Sequence, residues 1–127
     1  RAAGHVLSIT SNCDLSVMQE DRSQPHHRGI YWAWPEVDWR GEQGDLHALQ
    51  RVYARPTGNI SLEAKGSYAK IVAENRWIWE DETPIVREVT TLCAYQAGDH
   101  GRVIDLTYSF EALADNVALA RRGTNAY

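Results

Sequence analysis

The segment from Pro25 to Gly29 places two imidazoles and a guanidinium side by side in the order Pro-His-His-Arg-Gly. Proline fixes φ at the entry and glycine permits a tight backbone at the exit, so the sequence predicts a shaped turn. Histidine exchanges protons near neutral pH, and the planar fork of arginine binds pairs of oxygens. We therefore expect His26, His27 and Arg28 to be catalytic residues that act on an oxygen-rich or anionic ligand.

Each of these three side chains also has a structural alternative. Adjacent residues of an extended segment point to opposite faces, so His26 and His27 do not readily share one metal ion. One of them could pack against a tryptophan while the other binds a backbone carbonyl. Arg28 could form a salt bridge with a nearby carboxylate, such as Asp38, that only holds the turn.

Asp38 and Trp39 are the ligand-binding residues that the sequence predicts downstream of the turn. Asp38 could orient an imidazole or serve as a base, or it could only cap a loop. Trp39 is the candidate platform for a sugar, because indole faces stack on the apolar faces of pyranose rings. The chain has five tryptophans, and indoles also fill sandwich cores. Core burial is the favoured role of Trp77 and Trp79.

The sequence predicts no metal site and identifies no cofactor. His26, His47 and His100 could bind zinc, manganese or iron together with a carboxylate, but their spacing does not require it. The chain contains no GxSxG, no glycine-rich phosphate loop and no HExxH. The hydrolases, nucleotide-binding proteins and metalloproteases that carry those motifs are therefore not favoured.

Length and composition indicate one ordinary globular domain. The chain has 127 residues, 43% hydrophobic and 24% charged, with a formal net charge of −4. Mild acidity argues against nucleic acid as a partner, since phosphate binding needs a concentrated basic surface. No apolar run approaches the ~20 residues of a membrane helix, so no membrane partner is expected. The compartment is not indicated.

Period-two alternation and turn residues predict an all-β chain. Residues 56–59, with the sequence Pro-Thr-Gly-Asn, and residues 41–45 predict turns or loops, and residues 111–120 fit either a helix or a strand. Long antiparallel strands at regular spacing predict a β-sandwich. The predicted extended segments are residues 6–10, 15–18, 30–34, 46–55, 60–65, 68–79, 85–95 and 103–110.

A sandwich that ended at Tyr127 would have few strands in its second sheet and would leave a long open edge, which proteins avoid. We therefore expect residues 1–127 to be a single β-sandwich domain or a fragment of a larger one, and we favour the fragment. The alternative is that another copy or a partner chain covers the edge.

The His-His-Arg-Gly run followed by aromatic residues resembles the signature of the bacterial methane oxygenase PmoA-like family of soluble proteins. Asp21-Arg22, Asp38-Trp39 and residues 84–91 agree with it, and the likeness covers roughly residues 5–122. The resemblance implies an antiparallel sandwich, of the sugar-mutarotase supersandwich type, encoded beside sugar-processing enzymes. It implies no established reaction.

These observations predict a carbohydrate-active protein with a small sugar-like ligand. His26 or His27 would transfer a proton on a sugar or oxidised sugar, as in a lyase, epimerase or mutarotase. Arg28 would position the oxygens and Trp39 would stack on the ring. The alternatives are a carbohydrate-binding module without catalysis, and a structural β-sandwich subunit that assembles through its open edge.

Overall fold

The computed structural model describes residues 6–12, 33–99 and 101–120, and all its elements are strands. The all-β prediction is confirmed. The described residues contain no helix with the length and apolarity needed to cross a bilayer. The strands are β1 (Val6–Asn12), β2 (Val37–Trp39), β3 (Glu42–Gly44), β4 (Val52–Ala64), β5 (Tyr68–Trp79), β6 (Thr83–Tyr95), β7 (Val103–Ala112) and β8 (Ala118–Leu119).

The strands form two antiparallel sheets. The large sheet has five strands in the order β1-β7-β6-β5-β4, and the small sheet has three in the order β3-β2-β8. Three long hairpins in succession build the large sheet from β4 to β7. The segment predicted as strand over residues 68–79 coincides with β5, because its alternation of apolar and polar residues is nearly unbroken.

Alternation gives the large sheet two unlike faces. The face that carries Trp77, Val86 and Phe110, here called the inner face, is mostly apolar. The opposite face, here called the outer face, carries charged residues such as Arg76 and Glu111. This pattern is typical of an antiparallel sheet that packs one face on the core and exposes the other to solvent.

The core lies where the small sheet covers one end of the inner face. Val37 and Trp39 of β2 pack there against Trp77 and Trp79 of β5, and all four are buried. Trp39 and Trp79 meet edge to face with ring centroids 5.7 Å apart. The prediction that Trp77 and Trp79 are core residues is confirmed.

The inner face continues beyond the small sheet, and its far part is unevenly covered. Ile104 and Leu106 of β7 form a second buried cluster with Tyr108. On the β4 side, by contrast, Ile60 and Leu62 are 62% and 76% exposed. The inner face therefore has a closed part under the small sheet and an open apolar part toward β4.

The prediction of a turn at residues 56–59 is wrong. These residues lie inside β4, where the pairing with β5 shifts register between Pro56 and Ile60. Gly58 has φ +86°, which glycine adopts without strain, and the irregularity is a β-bulge. β4 ends the order of the described sheet, and an edge strand tolerates a proline because its N–H can face solvent.

Three further element predictions need correction. Ala33 and Trp34 are not strand, because Trp34 instead packs on the core and donates its indole N–H to the Ala120 carbonyl over 2.8 Å. Residues 42–44, predicted as loop, are β3, and residues 46–49, predicted as extended, form a turn. Residues 15–18 and 30–32 lie outside the described ranges. The supersandwich type stays a prediction.

Candidate functional site

Glu88 is the buried carboxylate of the inner face. It lies in β6 directly between Asn75 of β5 and Phe110 of β7, and only 6% of it is exposed. Charged side chains are seldom buried to this degree without hydrogen-bond partners. We therefore expect the Glu88 oxygens to accept hydrogen bonds from neighbouring donors.

Three donors converge on the Glu88 carboxylate. Trp77 donates its indole N–H to Oε2 over 2.7 Å. The Asn75 amide and the Thr90 hydroxyl donate to Oε1 over 3.0 and 2.8 Å. We call these four residues the Glu88 cluster. Hydrogen bonds to an ionised acceptor are short and strong, so the cluster fixes the carboxylate in one orientation.

Local sequence explains why the cluster forms. Asn75 and Trp77 are two residues apart in β5, and Glu88 and Thr90 are two apart in β6, so each pair shares a face. The register sets Asn75 opposite Glu88, which brings all four side chains together. The cluster is therefore a product of two alternating strands and one hairpin.

Tyr108 adds a titratable group beside the cluster. It lies opposite Thr90 in β7 and stacks on Phe110 with ring centroids 6.4 Å apart. Burial raises the pKa of Tyr108, and the negative charge of Glu88 raises it further. The phenol is thus held in its neutral form, which can donate a hydrogen bond.

The Glu88 cluster marks the boundary between the two parts of the inner face. On one side, Trp77 and Val86 are buried under the small sheet. On the other side, along the same face, the open apolar part holds Ile60, opposite Ala73, and then Leu62, opposite Ile71. A carboxylate, an amide and a hydroxyl bordering an apolar surface can bind a ligand that has both hydroxyl groups and C–H faces.

The hydrogen bonds that Glu88 accepts from described residues do not use all the lone pairs of its carboxylate. An ionised carboxylate offers about four lone-pair sites, and the three donors of the cluster occupy two on Oε1 and one on Oε2. The remaining site on Oε2 could accept one hydrogen bond from a ligand hydroxyl.

The predicted catalytic residues His26, His27 and Arg28 lie outside the described residues. The two predicted ligand-binding residues, Asp38 and Trp39, lie in β2 of the small sheet. Asp38 alternates with buried neighbours and so projects away from the core, on the far side from Glu88. The structure does not bring Asp38 to the Glu88 cluster.

Trp39 does not present the open ring face that a stacking platform needs. Its side chain is 5% exposed, with one side packed against Trp79 and the Arg40 guanidinium 4.2 Å from the ring centroid. Core packing and a cation–π contact take up the indole in this structure. A ligand-binding role for Trp39 stays a prediction.

The histidine set considered for a metal is only partly described. His47 is an exposed residue of the turn over residues 46–49, while His26 and His100 lie outside the described ranges. Within those ranges no group of three or more histidine, cysteine, aspartate or glutamate side chains is arranged to hold a metal ion.

Sequence reasoning missed Glu88. The available signal was its position in β6, where it shares a face with Val86, Thr90 and Leu92. A carboxylate on the apolar face of a strand is unusual and indicates a satisfied network or a site. The alternation of β5 places Asn75 and Trp77 on one face, and this was the signal for the two donors from that strand.

Fold and site together define an antiparallel β-sandwich with a buried carboxylate cluster on the inner face of its larger sheet. The chain belongs to the family of unknown function DUF6807, whose match covers residues 2–124. No curated protein and no solved structure matches it. The expected membership of the PmoA-like family is therefore wrong, since the matching family is DUF6807 and no PmoA-like family matches.

Proposed function

We propose that the protein binds a sugar or an oxidised sugar on the inner face beside the Glu88 cluster and acts on it by proton transfer. The observation that carries the proposal is the position of Glu88, a buried carboxylate where the closed part of the face meets the open part. Carboxylate and amide groups bind sugar hydroxyls, and a ligand site combines a few such groups with apolar surface.

The apolar component of the proposed site is the row next to the cluster. Ile71 of β5 lies opposite Leu92 of β6 and Leu62 of β4, and Ile71 is 41% exposed. A pyranose ring has polar edges and apolar faces. Leu92 lies four residues along β6 from Glu88, so a ligand of two or more sugar rings could rest on this row and bring one hydroxyl to the Glu88 carboxylate.

The proton transfer in this proposal belongs to His26 or His27, with Arg28 positioning the oxygens of the ligand. Proton abstraction from a sugar carbon needs a base with a pKa near the working pH, which an imidazole has. Glu88 in this scheme binds and orients. Its carboxylate is held by the three donors of the cluster, and its remaining acceptor position on Oε2 takes the ligand hydroxyl.

The test is a thermal-shift screen of neutral sugars, keto-sugars and uronates with two matched variants. Glu88→Gln alters the proposed site, and Glu82→Gln changes an exposed carboxylate in the β5–β6 turn. The proposal predicts that a sugar stabilises the wild type and the Glu82 variant but not the Glu88 variant. If no sugar raises the melting temperature of the wild type, the proposal fails.

Turnover then separates catalysis from binding alone. For any sugar that binds, we expect the double variant His26→Ala/His27→Ala to keep its affinity within about threefold, a difference under 1 kcal/mol, and to lose turnover. A sugar that binds the wild type without any turnover would leave the chain as a carbohydrate-binding module.

Assembly through β4 is a second candidate function, favoured by the exposure of its apolar residues. Leu62 is 76% exposed on a strand that ends the order of the described sheet. Unpaired strand edges with apolar side chains associate readily. Light scattering after gel filtration should show an oligomer that Leu62→Lys dissociates and the neighbouring Ser61→Lys does not. A monomeric wild type would end this candidate.

A further inference from the structure

The outer face of the large sheet carries three arginines in one row. Arg55 of β4 lies opposite Arg76 of β5, and Arg76 lies opposite Arg87 of β6. Directly opposed residues of antiparallel strands share a face and lie close together, so like charges there repel. Such a row needs anions to balance it.

Carboxylates of the protein balance the two ends of the row. Arg55 binds Asp81 through Nε and Nη2, with distances of 2.8 to 3.0 Å. Arg87 binds Glu74 over 2.7 Å and Glu111 over 3.2 Å. Both end arginines therefore form ion pairs within the protein.

Arg76, in the middle, has no ion pair or side-chain hydrogen bond among residues 33–99 and 101–120, and it is exposed. Glu74, two residues away on the same face, is already engaged by Arg87, which lowers the pKa of that carboxyl. The five N–H donors of Arg76 are thus available, and Arg55 keeps its Nη1 donors as well.

The bulge of β4 opens a groove beside Arg76. Residues 57–59 have no pairing partner in β5, so the two strands part there. The groove measures about 350 Å³, and its lining residues are Arg55, Pro56, Thr57, Asn59, Glu74, Arg76 and Ile78. The Glu74 carboxylate is held by Arg87 and by the Asn59 amide, so its charge is neutralised within the protein. This volume lies within the range of small-molecule sites.

We propose that this groove binds a small molecule through an oxyanion, a carboxylate or a phosphate, held by Arg76 and Arg55. Neighbouring strands lie about 4.8 Å apart, which lets two guanidinium groups share the oxygens of one anion. Thr57 and Asn59 face the polar remainder of the ligand, and Ile78 contacts its apolar part. This site is on the opposite face of the sheet from Glu88 and is independent of the sugar proposal.

The experiment follows the Arg76 Nε–H signal by NMR while inorganic phosphate, galacturonate or galactose is added. Galacturonate and galactose differ by the carboxylate, so the pair isolates the charge. We expect a saturable shift with phosphate, with galacturonate or with both, and none with galactose. Phosphate alone would indicate a phosphorylated ligand, and galacturonate alone a carboxylated one.

Two variants make the assignment specific. Arg76→Gln should weaken binding of the active probe by about tenfold or more, measured by calorimetry, because a charge-assisted bidentate contact is lost. Arg102→Gln, which removes an exposed arginine outside the groove, should change the affinity less than about twofold. The melting temperature of the Arg76 variant should not fall, since the substitution relieves repulsion within the row.

The proposal is overturned if neither anion shifts the Arg76 signal saturably, or if galactose shifts it as strongly as galacturonate. Equal losses in the Arg76 and Arg102 variants would also overturn it, because they would indicate nonspecific attraction. Binding of galacturonate that Glu88→Gln abolishes and Arg76→Gln leaves intact would place that ligand on the inner face and contradict the groove.

Discussion

The indole N–H of Trp77 is donated to the carboxylate of Glu88 over 2.7 Å, across the β5–β6 hairpin. Trp77 is fully buried in the core and Glu88 is nearly so. One hydrogen bond therefore joins the apolar core to the polar cluster at its margin. Loss of either partner removes this hydrogen bond in a place where water does not readily replace it.

Replacement of Glu88 by alanine should destabilise the fold by about 1–3 kcal/mol, because the buried Trp77 N–H would lose its hydrogen bond to the carboxylate. Glu88→Gln should cost less. The new amide oxygen can accept from Trp77, and its NH₂ can donate to the Thr90 hydroxyl and to a flipped Asn75 amide. Urea denaturation measures both free energies of unfolding.

The control for this comparison is Glu82→Ala at an exposed turn position, which should change stability by less than about 0.5 kcal/mol. A Glu88→Ala variant as stable as the control would mean that the cluster contributes nothing to the fold.

Gly44 in β3 is a packing constraint of the closed part of the sandwich. A Cβ there would lie 2.9 Å from Cζ3 of Trp79 and 3.1 Å from the Gln50 carbonyl oxygen. Gly44→Ala should therefore cost about 1–3 kcal/mol through overpacking. Gly66→Ala, where nothing lies within 4 Å of the new atom, should be neutral or slightly stabilising in thermal unfolding. Equal melting temperatures for the two variants would contradict the account.

Glu63 should titrate far below an ordinary glutamate. Hydrogen bonds from Lys65, Lys70 and Tyr68 lower the pKa of Glu63 from 4.5 to about 2. Because the folded pKa is depressed, its stabilising effect is present above about pH 4.5 and is lost as the pH falls toward 2. The group is exposed, so the effect on stability is small and screened by salt.

A carboxyl-carbon NMR titration measures the Glu63 value directly. Lys65→Met should raise the midpoint toward 4.5, since the hydrogen bond from Lys65 is the largest cause of the depression. A wild-type midpoint near 4.5 would show that these ion pairs are not formed in solution.

Tyr108 should ionise above the ordinary tyrosine value of 10, chiefly through burial and further through the charge of Glu88. Its raised pKa means that stability is unaffected below pH 10 and declines as the pH rises past that value. NMR of tyrosine labelled at Cζ follows this ionisation. Glu88→Gln should lower the midpoint for Tyr108, and an unchanged midpoint would contradict the proximity of the two groups.

Alternation of apolar and polar residues made the long strands predictable, as at residues 68–79, where the expected and observed bounds coincide. The bulge at residues 56–59 was not predictable in the same way. Pro-Thr-Gly-Asn favours a turn by local chemistry, and only its position in an edge strand makes it a bulge instead.

The site was harder to predict than the fold because its contacts are between strands. Glu88 and Trp77 are brought together by the hairpin register, which local patterns do not specify. Trp39 was predicted to bind a ligand, but an indole at the end of a short strand can equally pack in a core, and Trp39 lies in the core cluster. The roles of His26, His27 and Arg28 stay predictions.

The most direct test of a sugar site at the Glu88 cluster is an NMR titration with a sugar selected by thermal shift. The quantity measured is the chemical shift of the Trp77 indole N–H. The Trp34 indole N–H, which donates a hydrogen bond to the Ala120 carbonyl, serves as the internal control. Our account predicts a saturable shift of the Trp77 signal that Glu88→Gln removes, with the Trp34 signal unchanged. A sugar that binds while the Trp77 signal stays still would contradict it.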